Sequence, residues 1–186
     1  MYYRFYNKPN LEKEEVKNMN SKAKKVALSG VAIALIFVAT RFTQVPVPLG
    51  YTHLGDGFIF LFGTFLDPVS ALLVAALGGA LADLTSGYAL WAIPTFITKG
   101  LMGLVVGFAA KSQGSKKGLF LALGVIAGIV INVLGYFVFG IFLYGGVLAS
   151  LTQIPSLILE GVVGGALFYI LYFALKPVRN RIKAEA

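Results

Sequence analysis

Apolar residues run almost unbroken through six stretches of the chain, at about 26–42, 54–66, 68–86, 90–110, 118–143 and 153–175, and polar residues are concentrated between them. The runs are continuous rather than alternating, which predicts helices and disfavours a transmembrane β-barrel. A helix needs about 20 residues to cross the hydrocarbon core. Five of the stretches meet that length, whereas the second, Leu54 to Leu66, is short and is expected to be tilted, kinked or partly re-entrant. Asp67-Pro68 separates it from the third, because proline suits a first helical turn and disfavours helix in the residue before it. Residues 43–53 (TQVPVPLGYTH) read as an ordered loop on the side opposite the N-terminus.

Composition makes the bilayer the expected solvent. Apolar residues are 58% of the 186 and charged ones 13%, against about a quarter charged in ordinary globular domains. One membrane domain fits this length and leaves little room for a soluble catalytic domain. The absence of cysteine excludes disulfides and thiolate chemistry, and the single histidine, His53, excludes a multi-histidine metal site within the chain. The net charge of +8 does not indicate nucleic acid, because the basic residues cluster at the ends and in one loop. Seven lie in residues 1–25, three in the 111–117 loop (Lys111, Lys116, Lys117) and four in the tail (Lys176, Arg179, Arg181, Lys183). Six crossings put all of these on one face, which the positive-inside rule makes cytoplasmic. Only Arg41 and Lys99 lie toward the other face.

The expected fold is therefore an all-α, multi-pass membrane protein of six transmembrane helices with a short second helix and both termini cytoplasmic. Residues 1–25 form an N-terminal tail, 26–175 the membrane domain and 176–186 a basic C-terminal tail. The first 25 residues lack the apolar middle of a signal peptide, so the first span is read as permanent, and Met19 offers an alternative start to Met1. No phosphate-binding loop, H-E-x-x-H helix, nucleophile elbow or Ser-His-Asp set occurs, so no enzymatic activity is expected of this chain.

Ionisable groups inside spans are costly and are usually paired or functional. Here they are Asp83, Lys99 and Glu160, with Asp56 at the start of the second stretch. At 1.5 Å per residue, Lys99 lies about 12 Å and Glu160 about 10 Å below the outer ends of their helices, with Asn132 somewhat deeper. Residues four apart share a helix face, which makes stripes of Trp91, Thr95 and Lys99, of Gly128, Asn132 and Tyr136, and of Ser156, Glu160 and Gly164. Converging, they give a cavity with a cation, an anion, an amide and flat aromatic walls, suited to a small aromatic ligand. Lys99 and Glu160 are assigned to its polar edge, Asn132 to a ring nitrogen or amine, and Trp91, Tyr136 and Tyr88 to stacking, with Tyr51, His53 and Tyr88 closing the loops above. The plainer readings are a Lys99–Glu160 ion pair that only joins helices, a structural His53, and Asp83 and Asp56 serving local backbone.

Small residues recur four apart at Ala23/Ala27, Gly30/Ala34, Gly103/Gly107, Gly124/Gly128 and Gly161/Gly165, a spacing that lets helices approach closely in lipid. Internal packing explains most of them. The first helix, small and apolar along one face, is the best candidate for docking another membrane subunit.

Over residues 22–180 the chain resembles the S components of energy-coupling factor (ECF) vitamin transporters. The resemblance lies in KKVALSGVAIAL, HLGDGFIFL, GGALADLTSGYALWAIPTFITKGLMGLVVG and IPSLILEGVVGG. The central block is most similar to the subgroup assigned to hydroxymethylpyrimidine, a thiamin precursor, or to vitamin B6-like substrates; other S components carry riboflavin or pantothenate. The resemblance implies a six-helix subunit that captures a vitamin externally. It also implies docking, through small residues on helix 1 (here Ala27, Gly30 and Ala34), on a transmembrane coupling protein, the T component, that carries two ATP-binding-cassette ATPases. ATP and Mg would then reside on the partners, with no cofactor in this chain. A stand-alone secondary transporter or channel, and a membrane enzyme or assembly factor, are the rival readings.

Overall fold

The computed structural model describes residues 8–47, 49–112, 114–178 and 181, with side chains from Lys22 onward. Arg4, Arg179 and Lys183, counted above toward the basic face, lie outside the described residues, as does Met1. The elements in chain order are α1 (Lys8–Phe42), β1 (Val45–Val47), β2 (Gly50–Thr52), α2 (Gly55–Phe65), α3 (Pro68–Thr85), a 3-10 turn (Ala89–Trp91), α4 (Ala92–Ala110), α5 (Lys117–Leu143), α6 (Val147–Leu151) and α7 (Ile154–Ala174). Among the described residues the protein is thus all-helical apart from one short hairpin. Five stretches are long and apolar enough to cross a membrane: Lys22–Phe42, Pro68–Thr85, Ala89–Ala110, Lys117–Leu143 and Val147–Ala174. α2, at 11 residues, is apolar but falls below that length.

Three expectations of element boundaries are corrected. Helix does not begin near residue 26, since α1 continues back through the polar segment to Lys8; Glu, Lys and Ala in that segment are good helix formers. Residues 45–52 are not merely a loop. They pair as an antiparallel hairpin with Val45 opposite Thr52, Pro46 opposite Tyr51 and Val47 opposite Gly50, and Gly50 supplies a φ of +141°. Trp91 precedes α4 in the 3-10 turn rather than sitting on the helix itself.

The bundle is dry outside and tightly spaced inside. Leu90, Ile93, Phe142 and Leu148 are exposed, as lipid contact requires, while the core gathers Ile36, Phe60, Met102, Val106 and Phe168. Lipid gives no hydrophobic drive to helix association, so close backbone approach and van der Waals contact must hold the helices. Gly103 and Gly107 of α4 meet that need. A Cβ at Gly103 would run into the Ala71 carbonyl, and one at Gly107 would lie 2.7 Å from the Pro68 Cα. Gly128 admits the Phe60 ring and Gly161 admits Ile129 in the same manner. Ala27, Gly30 and Ala34 differ, being exposed, and no atom lies within 4 Å of a Cβ placed on Gly30.

Asp67 stops α2 from running into α3. Its carboxylate accepts from the Ser70 N–H at 3.1 Å and the Ser70 hydroxyl at 2.8 Å, and pairs with Lys25 of α1 at 2.8 Å. Partial burial alone would raise the pKa of this carboxyl. The Lys25 ammonium and the two Ser70 bonds outweigh it and hold the group below the ordinary carboxylate range. A depressed folded-state value stabilises the fold above the unfolded value of about 4 and loses that contribution as pH falls through the folded value. Asp67→Ala is expected to lower stability at pH 7 by about 1 kcal/mol, nearly all of it the lost cap, because the exposed ion pair adds little. Thermal unfolding in detergent should show the gap between variant and parent closing as pH is lowered below about 4; a gap independent of pH would refute the assignment.

Candidate ligand-binding site

Four helices converge at the hairpin end of the bundle. α4 carries Lys99 to a fully enclosed position, 1% exposed, where its Nζ donates to Asp56 Oδ1 at 2.6 Å, Asn132 Oδ1 at 2.9 Å and Glu160 Oε1 at 2.9 Å. These partners come from α2, α5 and α7. An ammonium has three donors and no acceptor, so this set satisfies it completely, and the Tyr136 ring stacks beneath it at 5.2 Å. The Lys99–Glu160 pair of the plainer reading therefore forms, within a larger cluster.

Asp56 is the residue that sequence reasoning misplaced. It lies in the first turn of α2, where a carboxylate ordinarily serves nearby backbone N–H groups, yet α2 has no side-chain cap and Asp56 turns inward to Lys99. The signal for it was present in the chain: a lone acidic residue in the otherwise apolar GDGFIFLFGTF helix. Asp83 likewise does more than close a loop. Its backbone carbonyl accepts from the Ser86 and Tyr88 N–H groups, and its carboxylate accepts from the Tyr51 hydroxyl. Burial, and after it the negative charge of Asp83, push the Tyr51 phenol above its ordinary value, which keeps it a donor at neutral pH.

His53 is 7% exposed. Its Nδ1 accepts the Gly55 N–H at 3.1 Å, and its Nε2 lies 3.7 Å from Glu160 Oε1. With Nδ1 taken up by the backbone N–H, Nε2 is the ring nitrogen that faces Glu160. His53, Asp56 and Glu160 bring their ligand atoms within 4.8 Å of one another, and the Lys99 ammonium stands among them, 2.6 Å from Asp56 Oδ1 and 2.9 Å from Glu160 Oε1, a positive charge that disfavours a metal ion there.

Above this cluster opens a pocket lined by Val47, Leu49, Tyr51, His53, Asp83, Tyr88, Trp91, Tyr136, Gln153, Ser156, Leu157 and Glu160. It holds about 460 Å³ of empty space, counted out to its open mouth. Trp91 stands 5.4 Å from the Tyr136 ring and 5.5 Å from Tyr144, and Tyr51 stands 4.8 Å from Tyr88. The hairpin lines one side of the pocket through Val47, Leu49 and Tyr51, held there by Tyr144 Oη donating to the Leu49 carbonyl at 2.6 Å and by Gln44 Nε2 donating to Ser86 Oγ at 2.8 Å.

Of the candidate residues, Trp91, Tyr136, Glu160, Tyr88 and His53 line the pocket. Lys99, Asn132 and Thr95 stand outside the lining: the first two are bonded to each other, and Thr95 is bonded to Tyr136 Oη at 2.7 Å. They orient the floor rather than form it. Val47, Leu49, Gln153 and Leu157 were not anticipated. Gln153 could have been noticed as an amide just ahead of the last helix, whereas the two hairpin residues carry no such mark.

The family model described as ECF-type riboflavin transporter, S component, matches residues 20–177. A solved structure described as the S component of a bacterial ECF transporter superposes with a TM-score of 0.70 at 23% identity, covering 84% of this chain and 98% of that one. An uncharacterized protein from the gap 3′ region of Pyrococcus woesei is 32% identical over 77% of this chain and 98% of its own length. UPF0397 proteins of Lactobacillus helveticus and Leuconostoc citreum are 29% and 33% identical over 56% and 51% of this chain. The chain spans about half the length of those two relatives, 57% and 51%. With nearly its whole helical portion matched, the chain belongs to the S components of ECF-type transporters, a transporter family rather than an enzyme family.

Proposed function

We propose that this S component captures a small aromatic heterocycle, of hydroxymethylpyrimidine or vitamin B6-like type, in the pocket beneath the hairpin and passes it inward with the help of partner subunits. The observation that carries this reading is the pocket itself, where Tyr51, Tyr88, Trp91 and Tyr136 surround a floor closed by Glu160. Aromatic rings supply flat stacking surfaces, and a carboxylate supplies acceptors for ring-borne N–H groups. Six crossings with both ends cytoplasmic put the hairpin and pocket on the outside of the bacterial membrane, in accord with the basic loop and tail on the other face. Drive comes from a T component and two ATPases holding ATP and Mg. The exposed Ala27, Gly30 and Ala34 face of α1 is the proposed docking surface.

Riboflavin is the second reading, favoured by the description of the matching family. Native mass spectrometry of the purified chain, followed by calorimetric titration, separates the two. Hydroxymethylpyrimidine or a B6 vitamer should co-purify or bind with submicromolar affinity, whereas a yellow preparation that retains flavin and ignores pyrimidines overturns the first reading. Gly30→Leu should leave folding and ligand binding of the isolated subunit intact while weakening uptake in cells that contain the ATPases. Unchanged uptake would remove α1 as the docking surface.

A further inference from the structure

The charge balance of the pocket narrows the ligand further, given the heterocycle reading above. Among the described residues the buried ionisable groups in this region are Asp56, Asp83, Glu160, Lys99 and His53. Three carboxylates gather around one ammonium, an imbalance of acidic over basic side chains, with His53 beside Glu160. The pocket lining repeats the imbalance, with Asp83 and Glu160 present and no lysine or arginine. Two carboxylate oxygens also lack any hydrogen-bond partner although they are buried. They are Asp83 Oδ2, on a pocket-lining residue 2% exposed, and Asp56 Oδ2 at the foot of the Lys99 cluster.

Buried charge is tolerated when it is paired and hydrogen-bonded, and is otherwise expensive. An anionic ligand would meet only acidic side chains in the lining and leave the Asp83 oxygen without a donor. A cation bearing N–H donors supplies that donor and pairs with the carboxylates. Its positive face would also lie among Tyr51, Tyr88 and Trp91, whose ring faces attract cations. We infer that the pocket selects a positively charged heterocycle, one with a protonated amine or aminopyrimidine edge, and that Asp83 and Glu160 read this charge. Phosphorylated and carboxylated forms of the same ring are excluded.

Calorimetric titration of the full-length chain in detergent at pH 7.5 with pyridoxamine, pyridoxine and 4-pyridoxic acid tests this, because the three share a ring and differ in carrying an ammonium, a hydroxyl or a carboxylate. Pyridoxamine should bind at least tenfold tighter than pyridoxine, and pyridoxic acid at least tenfold weaker. Asp83→Asn keeps an acceptor for Tyr51 and should reduce the pyridoxamine-to-pyridoxine ratio to below threefold. Glu160→Gln should do the same, and if it does not fold the Asp83 variant alone decides. A flat or reversed order among rings that bind overturns the charge inference and leaves the heterocycle reading standing. Binding of riboflavin with none of the pyridines, or with hydroxymethylpyrimidine also silent, overturns both. Tight binding of calcium or magnesium ions alone, with no preference among the three rings, assigns the acidic excess to a metal and also overturns the inference.

Discussion

Lys99→Met is expected to cost the fold about 3–5 kcal/mol, the range for removing one partner of a buried ion pair. The side chain is nearly isosteric, so packing is kept and only the charge and its three donors are lost. Asp56, Asn132 and Glu160 would then retain oxygens aimed at an apolar thioether. Thermal unfolding in detergent measures the loss directly, and failure of the variant to accumulate in the membrane is the extreme form of the same result. Replacing the partners tests the cause. Lys99→Met combined with Asp56→Asn and Glu160→Gln removes the unpaired charges and should recover much of the stability, since an uncharged cluster no longer requires a cation. A single variant within 0.5 kcal/mol of the parent, or a triple variant no better than the single, would show that the cluster does not hold the four helices together.

Trp91→Ala is expected to weaken heterocycle binding by roughly ten- to a hundredfold, in line with about 1–3 kcal/mol per stacked aromatic contact. Trp91 is 8% exposed, packs against Tyr136 and Tyr144, and forms one wall of the pocket. Trp91→Phe should keep most of the affinity because a ring face remains. Tyr136→Phe separates wall from scaffold: it removes the hydroxyl bonded to Thr95 at 2.7 Å but leaves the ring, so affinity should move less than about threefold while stability falls by about 1 kcal/mol. Trp91 is the single tryptophan of the chain, so quenching of its fluorescence on titration with pyridoxamine or hydroxymethylpyrimidine reports occupancy directly. Unchanged affinity in Trp91→Ala would remove the stacking wall from the site.

Much of this site was readable before any coordinates. Lys99, Asn132 and Glu160 are polar interruptions deep in apolar runs, and lipid leaves such groups little choice but to find each other. Helical spacing then put Tyr136 on the side of Asn132, whereas Trp91 reaches the pocket from the 3-10 turn ahead of α4. Asp56 escaped because its position in a first turn has an ordinary explanation in local backbone chemistry; which way its carboxylate turns depends on where α4 lies, a tertiary fact. The hairpin escaped for a related reason. Pro46 and Pro48 in an 11-residue linker read as loop, and the pairing of Val45 with Thr52 becomes favourable only over the helix ends that support it. The small-residue pairs were legible as close-packing sites, but which face inward was decided by neighbours: Gly103 meets α3, while Gly30 meets nothing.

The tethers of the hairpin bear on kinetics rather than on affinity. Tyr51 to Asp83, Tyr144 to Leu49 and Gln44 to Ser86 must all part before the hairpin lifts, at about 1 kcal/mol each, so the open form is disfavoured by roughly a hundredfold. These bonds involve no ligand atom, so they slow entry and escape by the same factor and leave the equilibrium constant untouched. Under the proposed function, a captured molecule would gain a long residence time, enough to outlast a wait for a free partner, at the expense of slower loading.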